Sequence, residues 1–146
     1  MIRIATPPDI EPIIERLLIP FHDEHQLVRE TELDIDRIRT WVMEMVAEGR
    51  VIVVEMEGEI VGGIGFRDYE PPYANVVWLV DDFFYVRPEW RGGSVGLELE
   101  RFFRDLAKSS KKTAILTVFN PGRVASRGRI ARVFGLTPIG HWLRVA

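Results

Sequence analysis

Between Phe83 and Phe103 the chain reads FFYVRPEWRGGSVGLELERFF, an apolar strand passed into a helix through a short glycine-rich turn. Phe83, Phe84, Tyr85 and Val86 suit a strand, and Pro88 removes a backbone donor and ends it. Gly92, Gly93 and Gly96 bracket the first turn of a helix that carries Leu97, Leu99, Phe102 and Phe103. The opening amides of such a helix have no intrahelical partner, and its dipole places roughly half a positive charge among them, so a diphosphate is a natural ligand. With no Cβ at those glycines a ligand can approach the backbone, and Arg91 adds a fixed charge at the mouth of the turn. The plainer reading is a strand-to-helix connection whose glycines only permit tight packing, and for a lone Gly-Gly pair it has the stronger claim.

In its wider setting the segment resembles motif A of the GNAT superfamily, the acyl-CoA-dependent N-acyltransferases. The family pattern is a strand ending in a hydrophobic residue, often Val-x-Pro, then Arg or Gln, two residues, Gly, one residue, and Gly or Ala. Val86, Pro88, Arg91 and Gly96 match it, while Ser94 stands where the middle glycine is usual. The resemblance implies that Arg91, Gly92, Gly93, Ser94, Val95 and Gly96 hold the diphosphate of acetyl-CoA. It also implies that backbone groups of Phe84, Tyr85 and Val86 pair with the pantetheine arm like an added strand.

The rest of the chain supplies the other elements. Ile2 to Ala5 is expected to be a short strand, and Thr6-Pro7-Pro8-Asp9 a turn and cap before a helix with Ile10, Ile13, Ile14, Leu17 and Leu18, stopped by Pro20. Asp34 to Glu48 places Ile35, Ile38, Trp41, Val42 and Met45 at helical spacing, with Gly49 as the stop. Val51 to Met56 and Ile60 to Phe66 read as a hairpin around Gly58, followed by a strand from about Asn75 to Val86 and the helix ending near Lys108. Ala114 to Phe119 is a further strand, Val124 to Phe134 a short basic helix and Thr137 to Val145 a closing strand. The order β-α-α-β-β-β-α-β-α-β gives a mixed α/β (α+β) fold, with a central, mostly antiparallel sheet flanked by helices. It is the order of the GNAT fold, and the resemblance spans nearly the whole chain, read as a single domain over residues 1–146.

Composition narrows the function classes. A chain of 146 residues with 47% hydrophobic content can bury a substantial core, and the absence of cysteine excludes disulfides, thiolate metal sites and a cysteine nucleophile. No apolar run approaches a membrane span, and MIRIATPPDI lacks the layout of a signal peptide, so a cytoplasmic location is expected. The net charge of −3 conceals an uneven layout, since all 22 acidic residues lie at or before Asp105 and the remainder is cationic. That cationic third could face a nucleotide-containing cofactor, nucleic acid or solvent. No aromatic-interleaved basic stripe or recognition motif accompanies it, so nucleic acid is not the expected partner.

Chemistry is expected at the strand before the turn. The resemblance implies a carboxylate a few residues upstream of Val86 as general base toward an ammonium substrate, for which Asp81 and Asp82 are the candidates. Strict alternation would send Asp81 with Phe83 and Tyr85 to one face and Asp82 with Phe84 and Val86 to the other. The offset of Asp82 from Val86 matches a common position of the family's carboxylate, so the resemblance favours Asp82. The family's asparagine corresponds to Asn120, whereas its usual acid, a tyrosine before the final Gly-Phe, has no counterpart near Ala131, leaving Tyr85, Tyr69, Tyr73 or water.

Three other motifs invite a reading. His22-Asp23-Glu24-His25 reads as a loop after Pro20 rather than a metal site, and Gly62-Gly63-Ile64-Gly65 as close backbone packing rather than a dinucleotide fingerprint. The four tryptophans read as core or rim residues. The resemblance implies an N-acetyltransferase carrying acetyl from acetyl-CoA to a primary amine. The acidic loops around Asp23, Glu24, Asp68 and Glu70 favour a cationic acceptor. The alternative is an inactive CoA-binding or protein-interaction module. An exposed closing strand could also pair two copies as a homodimer.

Overall fold

Among the described residues the order of strands along the chain is also their order across the sheet, and the last pair is parallel. The computed structural model describes residues 1–24 and 31–117. The strands are β1 (Ile2–Ile4), β2 (Val51–Met56), β3 (Glu59–Tyr69), β4 (Trp78–Val86) and β5 (Thr113–Ile115), ordered β1-β2-β3-β4-β5. The first three pairings are antiparallel and β4 with β5 is parallel. The expected helix Val124 to Phe134 and strand Thr137 to Val145 lie outside the described residues.

Two helical layers cover the sheet. On one face lie α1 (Ile10–Ile13), a π-helical turn (Ile14–Leu18) and α2 (Ile19–Glu24), which run on without a break, together with α3 (Ile35–Ala47). They bury Ile13, Ile14, Leu17, Val42 and Met45 against Val51, Val53, Phe83 and Tyr85. On the other face α4 (Val95–Ser109) buries Val95, Leu99, Phe103 and Ala107, one stripe at helical spacing, against Ile52, Val54, Ile64 and Phe66. The hairpin turn between β2 and β3 has positive φ at both Glu57 (54°) and Gly58 (78°), as a tight two-residue turn demands.

Pro20 does not stop the first helix, contrary to the expectation from sequence. A proline in a helix removes one hydrogen bond and crowds the carbonyl four residues back, and the π-helical turn immediately before it loosens that spacing. The helix thus reaches Glu24, and His22, Asp23 and Glu24 are helical rather than a loop. Trp41 packs edge-on against Phe83 at 6.2 Å, and Trp78 lies on Tyr69 at 5.8 Å. Trp142 falls outside the described residues.

Capping agrees with the sequence at α3, where the Asp34 carboxylate accepts from the Arg37 amide at 3.0 Å. Asp34→Ala is expected to cost about 1 kcal/mol, measured as a shift of the urea midpoint with the slope unchanged.

Candidate active site

The site is built on β4, and β4 is irregular. Gly65 of β3 pairs with Phe83, but Phe66 pairs with Asp81, so Asp82 is an extra residue with no partner in the register. Such a bulge reverses the alternation of side chains. Leu79 consequently joins the α4 face, whereas Phe83 and Tyr85 join the α1–α3 face and Phe84 and Val86 pack toward α4. The alternation that grouped Asp81 with Phe83 and Tyr85 therefore breaks at Asp82.

The two aspartates have different surroundings. Asp82 accepts from Arg67 Nε at 2.8 Å in an ion pair whose side chains are 20% and 54% exposed. Asp81 is buried. The ladder between β4 and β5 ends at Val80 and Ile115, and beyond it Asp81 Oδ1 accepts from the Thr117 amide at 2.5 Å and the Thr117 hydroxyl at 2.9 Å. A side chain thus replaces the backbone ladder where the strands part. Burial pushes the Asp81 carboxyl up to about 6, against the opposing pull of the Thr117 donors.

Past this point β4 continues to Val86, and its edge toward β5 has no ladder among the described residues. The chain then makes a short 3-10 turn, Pro88–Trp90, and reaches the glycine-rich turn. Gly92 has φ of 80°, and a Cβ there would meet nothing within 4 Å. A Cβ on Gly93 would come no closer than 3.9 Å to the Trp90 carbonyl. Among the described residues nothing closes the approach to these amides. Ser94 takes up φ −80° and ψ −18°, an ordinary helical conformation, so serine at the usual glycine position introduces no strain.

Gly62 seats the start of α4 on the sheet. A Cβ there would meet Val95 Cγ1 at 3.1 Å and Leu99 Cδ1 at 3.2 Å. Gly63 and Gly65 instead accommodate the opposite layer, a Cβ on Gly63 falling 2.8 Å from Leu17 Cδ1 and 2.9 Å from the Ile52 carbonyl. The Gly62-Gly63-Ile64-Gly65 run is close packing inside β3, as the sequence reading held.

Arg91 makes three contacts. Its Nε donates to the Val86 carbonyl at 2.8 Å, its Nη2 donates to Glu24 Oε2 at 2.7 Å, and its guanidinium lies 5.1 Å from the centre of the Tyr85 ring. The Tyr85 hydroxyl donates to Glu24 Oε1 at 2.6 Å. Burial, followed by the Glu24 carboxylate, pushes the Tyr85 phenol above its ordinary range, which makes it a poor acid. Sequence reasoning missed this cluster by ending the helix at Pro20. Phe21, continuing the stripe of Ile14, Leu17 and Leu18, was the signal for its extension.

The remaining expected residues are less connected. Asp68 pairs with Lys112 at 2.7 Å, so its charge is already matched. Tyr73 is exposed. Asn120 and His25 lie outside the described residues. Among the described residues no three side chains of metal-ligating type come together, and no helix is long and apolar enough to cross a membrane.

This architecture recurs among solved structures. A ribosomal-protein-alanine N-acetyltransferase from Brucella melitensis biovar Abortus 2308 superposes with a TM-score of 0.72 at 19% identity, covering 100% of this chain and 95% of that one. A predicted acetyltransferase from Clostridium acetobutylicum, solved with acetyl-CoA, gives 0.71 at 19% identity over 100% and 95%. An aminoglycoside acetyltransferase from an uncultured soil metagenomic sample, in complex with sisomicin, gives 0.71 at 14% identity over 100% and 93%. Among curated proteins no sequence matches significantly. At these identities the structural likeness speaks for the fold alone, but residues 12–136 also match the acetyltransferase (GNAT) family model. With its amide turn, parted strands and nearly full-length match, the chain belongs to the GNAT acetyltransferase family.

Proposed function

We propose that this protein is an acetyl-CoA-dependent N-acetyltransferase that passes the acetyl group directly to a primary amine. The observation that carries the reading is the parting of β4 from β5 beside an open amide turn. The turn suits a diphosphate, and the edge of β4 beyond Val80, which has no ladder toward β5 among the described residues, suits an extended arm bearing amides. The reading takes residues 1–146 as one domain acting in the cytoplasm, with Asn120 and the backbone of Phe84, Tyr85 and Val86 as further cofactor contacts. Homodimer formation is compatible with it.

Acetyl-CoA supplies the thioester, and the chain supplies position and proton transfer. A primary amine arrives as an ammonium and has no lone pair until it loses a proton. Asp81, at the point where the strands part, is the better base, because its raised pKa lets it hold the proton it removes. Asp82 is half-buried and engaged by Arg67. Asp82→Asn is accordingly expected to change stability by less than about 1 kcal/mol and the transfer rate by less than about tenfold. A loss as large as that of an Asp81 variant in the same assay would instead make Asp82 the base.

Incubation with acetyl-CoA and a panel of primary amines, following free thiol and the mass of each amine, tests the reading. Acetylated product with stoichiometric thiol is the expected result. If acetyl-CoA binds but no amine in a broad panel is acetylated, a CoA-binding module without transfer becomes the better account.

A further inference from the structure

We propose that Glu24 and Tyr85 form a subsite for the second cationic group of a polycationic acceptor, and that Arg91 fills this subsite until a diphosphate draws it away. The proposal rests on the acetyl-CoA reading above and adds an acceptor class, amines carrying a further ammonium or guanidinium. Glu24 Oε2 already binds a cation at 2.7 Å, and Glu24 Oε1 is oriented by the Tyr85 hydroxyl at 2.6 Å. The Tyr85 ring provides an aromatic face 5.1 Å from the guanidinium carbon, within the range of cation–π attraction. A carboxylate fixed by a tyrosine and backed by its ring is a cation receptor, and here its occupant is a side chain of the same protein.

That occupant is exchangeable. Arg91 and Glu24 are 39% and 43% exposed, and an ion pair so accessible to water contributes little by itself. Arg91 immediately precedes Gly92, so the side chain that holds Glu24 springs from the residue next to the turn proposed to receive the diphosphate. A diphosphate carries more charge than one carboxylate and offers the fork of Arg91 several oxygens. As Arg91 turns to it, Glu24 keeps the Tyr85 hydroxyl and loses its cation. Donor and polycationic acceptor then favour each other's binding, because each relieves the competition that Arg91 creates.

Calorimetry on the full chain tests this with CoA as the anionic probe and 1,4-diaminobutane and butylamine as cationic probes. CoA at saturation should tighten diaminobutane binding by about tenfold and butylamine binding by less, since only the diamine can hold Glu24 while its other ammonium makes a second contact. Glu24→Gln should remove the advantage of the diamine while binding CoA at least as tightly as the wild type. Arg91→Ala, which leaves Glu24 and Tyr85 in place, should bind the diamine without CoA about as well as the wild type does with it. This arm decides the matter should Glu24→Gln fail to fold. CoA binding to the wild type with no effect on the diamine overturns the subsite alone. Failure of the folded wild type to bind CoA overturns the donor reading and the subsite with it.

Discussion

Asp81→Asn should slow acetyl transfer by ~10²–10⁴-fold and leave the fold no less stable at pH 8 than the wild type. The two halves of this expectation come from the same burial. Ionised Asp81 receives two donors from Thr117, yet desolvation outweighs them and lifts its pKa to about 6. A shift of about two units corresponds to about 3 kcal/mol of folding stability, present below the unfolded carboxylate pKa and lost as pH rises through 6. Asparagine preserves the size and the acceptor oxygen without the charge, so it removes that cost along with the base. The pH profile follows with a definite sign. Only ionised Asp81 can take a proton, so wild-type activity should fall as pH drops through about 6, and the residual activity of the variant should lose that limb. A residue with a purely structural role would leave the limb in place.

Gly65→Val should destabilise the fold by about 3 kcal/mol, read as a lowered urea midpoint at unchanged slope. A Cβ at this position would overlap the Phe83 ring and lie 2.5 Å from the Met45 methyl, both in the layer under α3. Phe83 is held in turn by Trp41, so the ring has little freedom to yield. The damage should extend to the site, since Phe83 directly follows the bulged residue Asp82 and Gly65 is its partner across the ladder. If valine at this position left the midpoint unchanged, the packing described between β3 and the α3 layer would be wrong.

How much of this was legible in the sequence depends on whether local signals decide the structure. Apolar spacing and the stops at Gly49 and Gly58 located α3, the β2–β3 hairpin and α4, because burial of one stripe or face governs those elements. The strand–turn–helix around Arg91 was legible for the same reason, with Pro88 and the glycines marking its ends. Pro20 misled because its local preference was overridden by a widened helical turn and by the continued burial of Leu17 and Leu18. The side to which each aspartate turns could not follow from alternation, since the bulge at Asp82 is a property of the pairing between β3 and β4. The doublet Asp81-Asp82 beside Phe83-Phe84 is its only mark in the chain. The meeting of Glu24 with Tyr85 and Arg91 spans separations of 61 and 67 residues and required the fold.

The central claim is that the turn from Gly92 to Gly96 receives the diphosphate of acetyl-CoA, and calorimetric titration of the wild type and Gly96→Glu tests it most directly. A Cβ at Gly96 would stand 3.9 Å from Phe84 Cζ and Val86 Cγ2, so the backbone has room for the substitution while the new carboxylate repels phosphate at the helix start. The account predicts that acetyl-CoA binds the wild type and that the variant, folded by circular dichroism, loses this binding. Equal binding by both proteins, or none by the folded wild type, would contradict it.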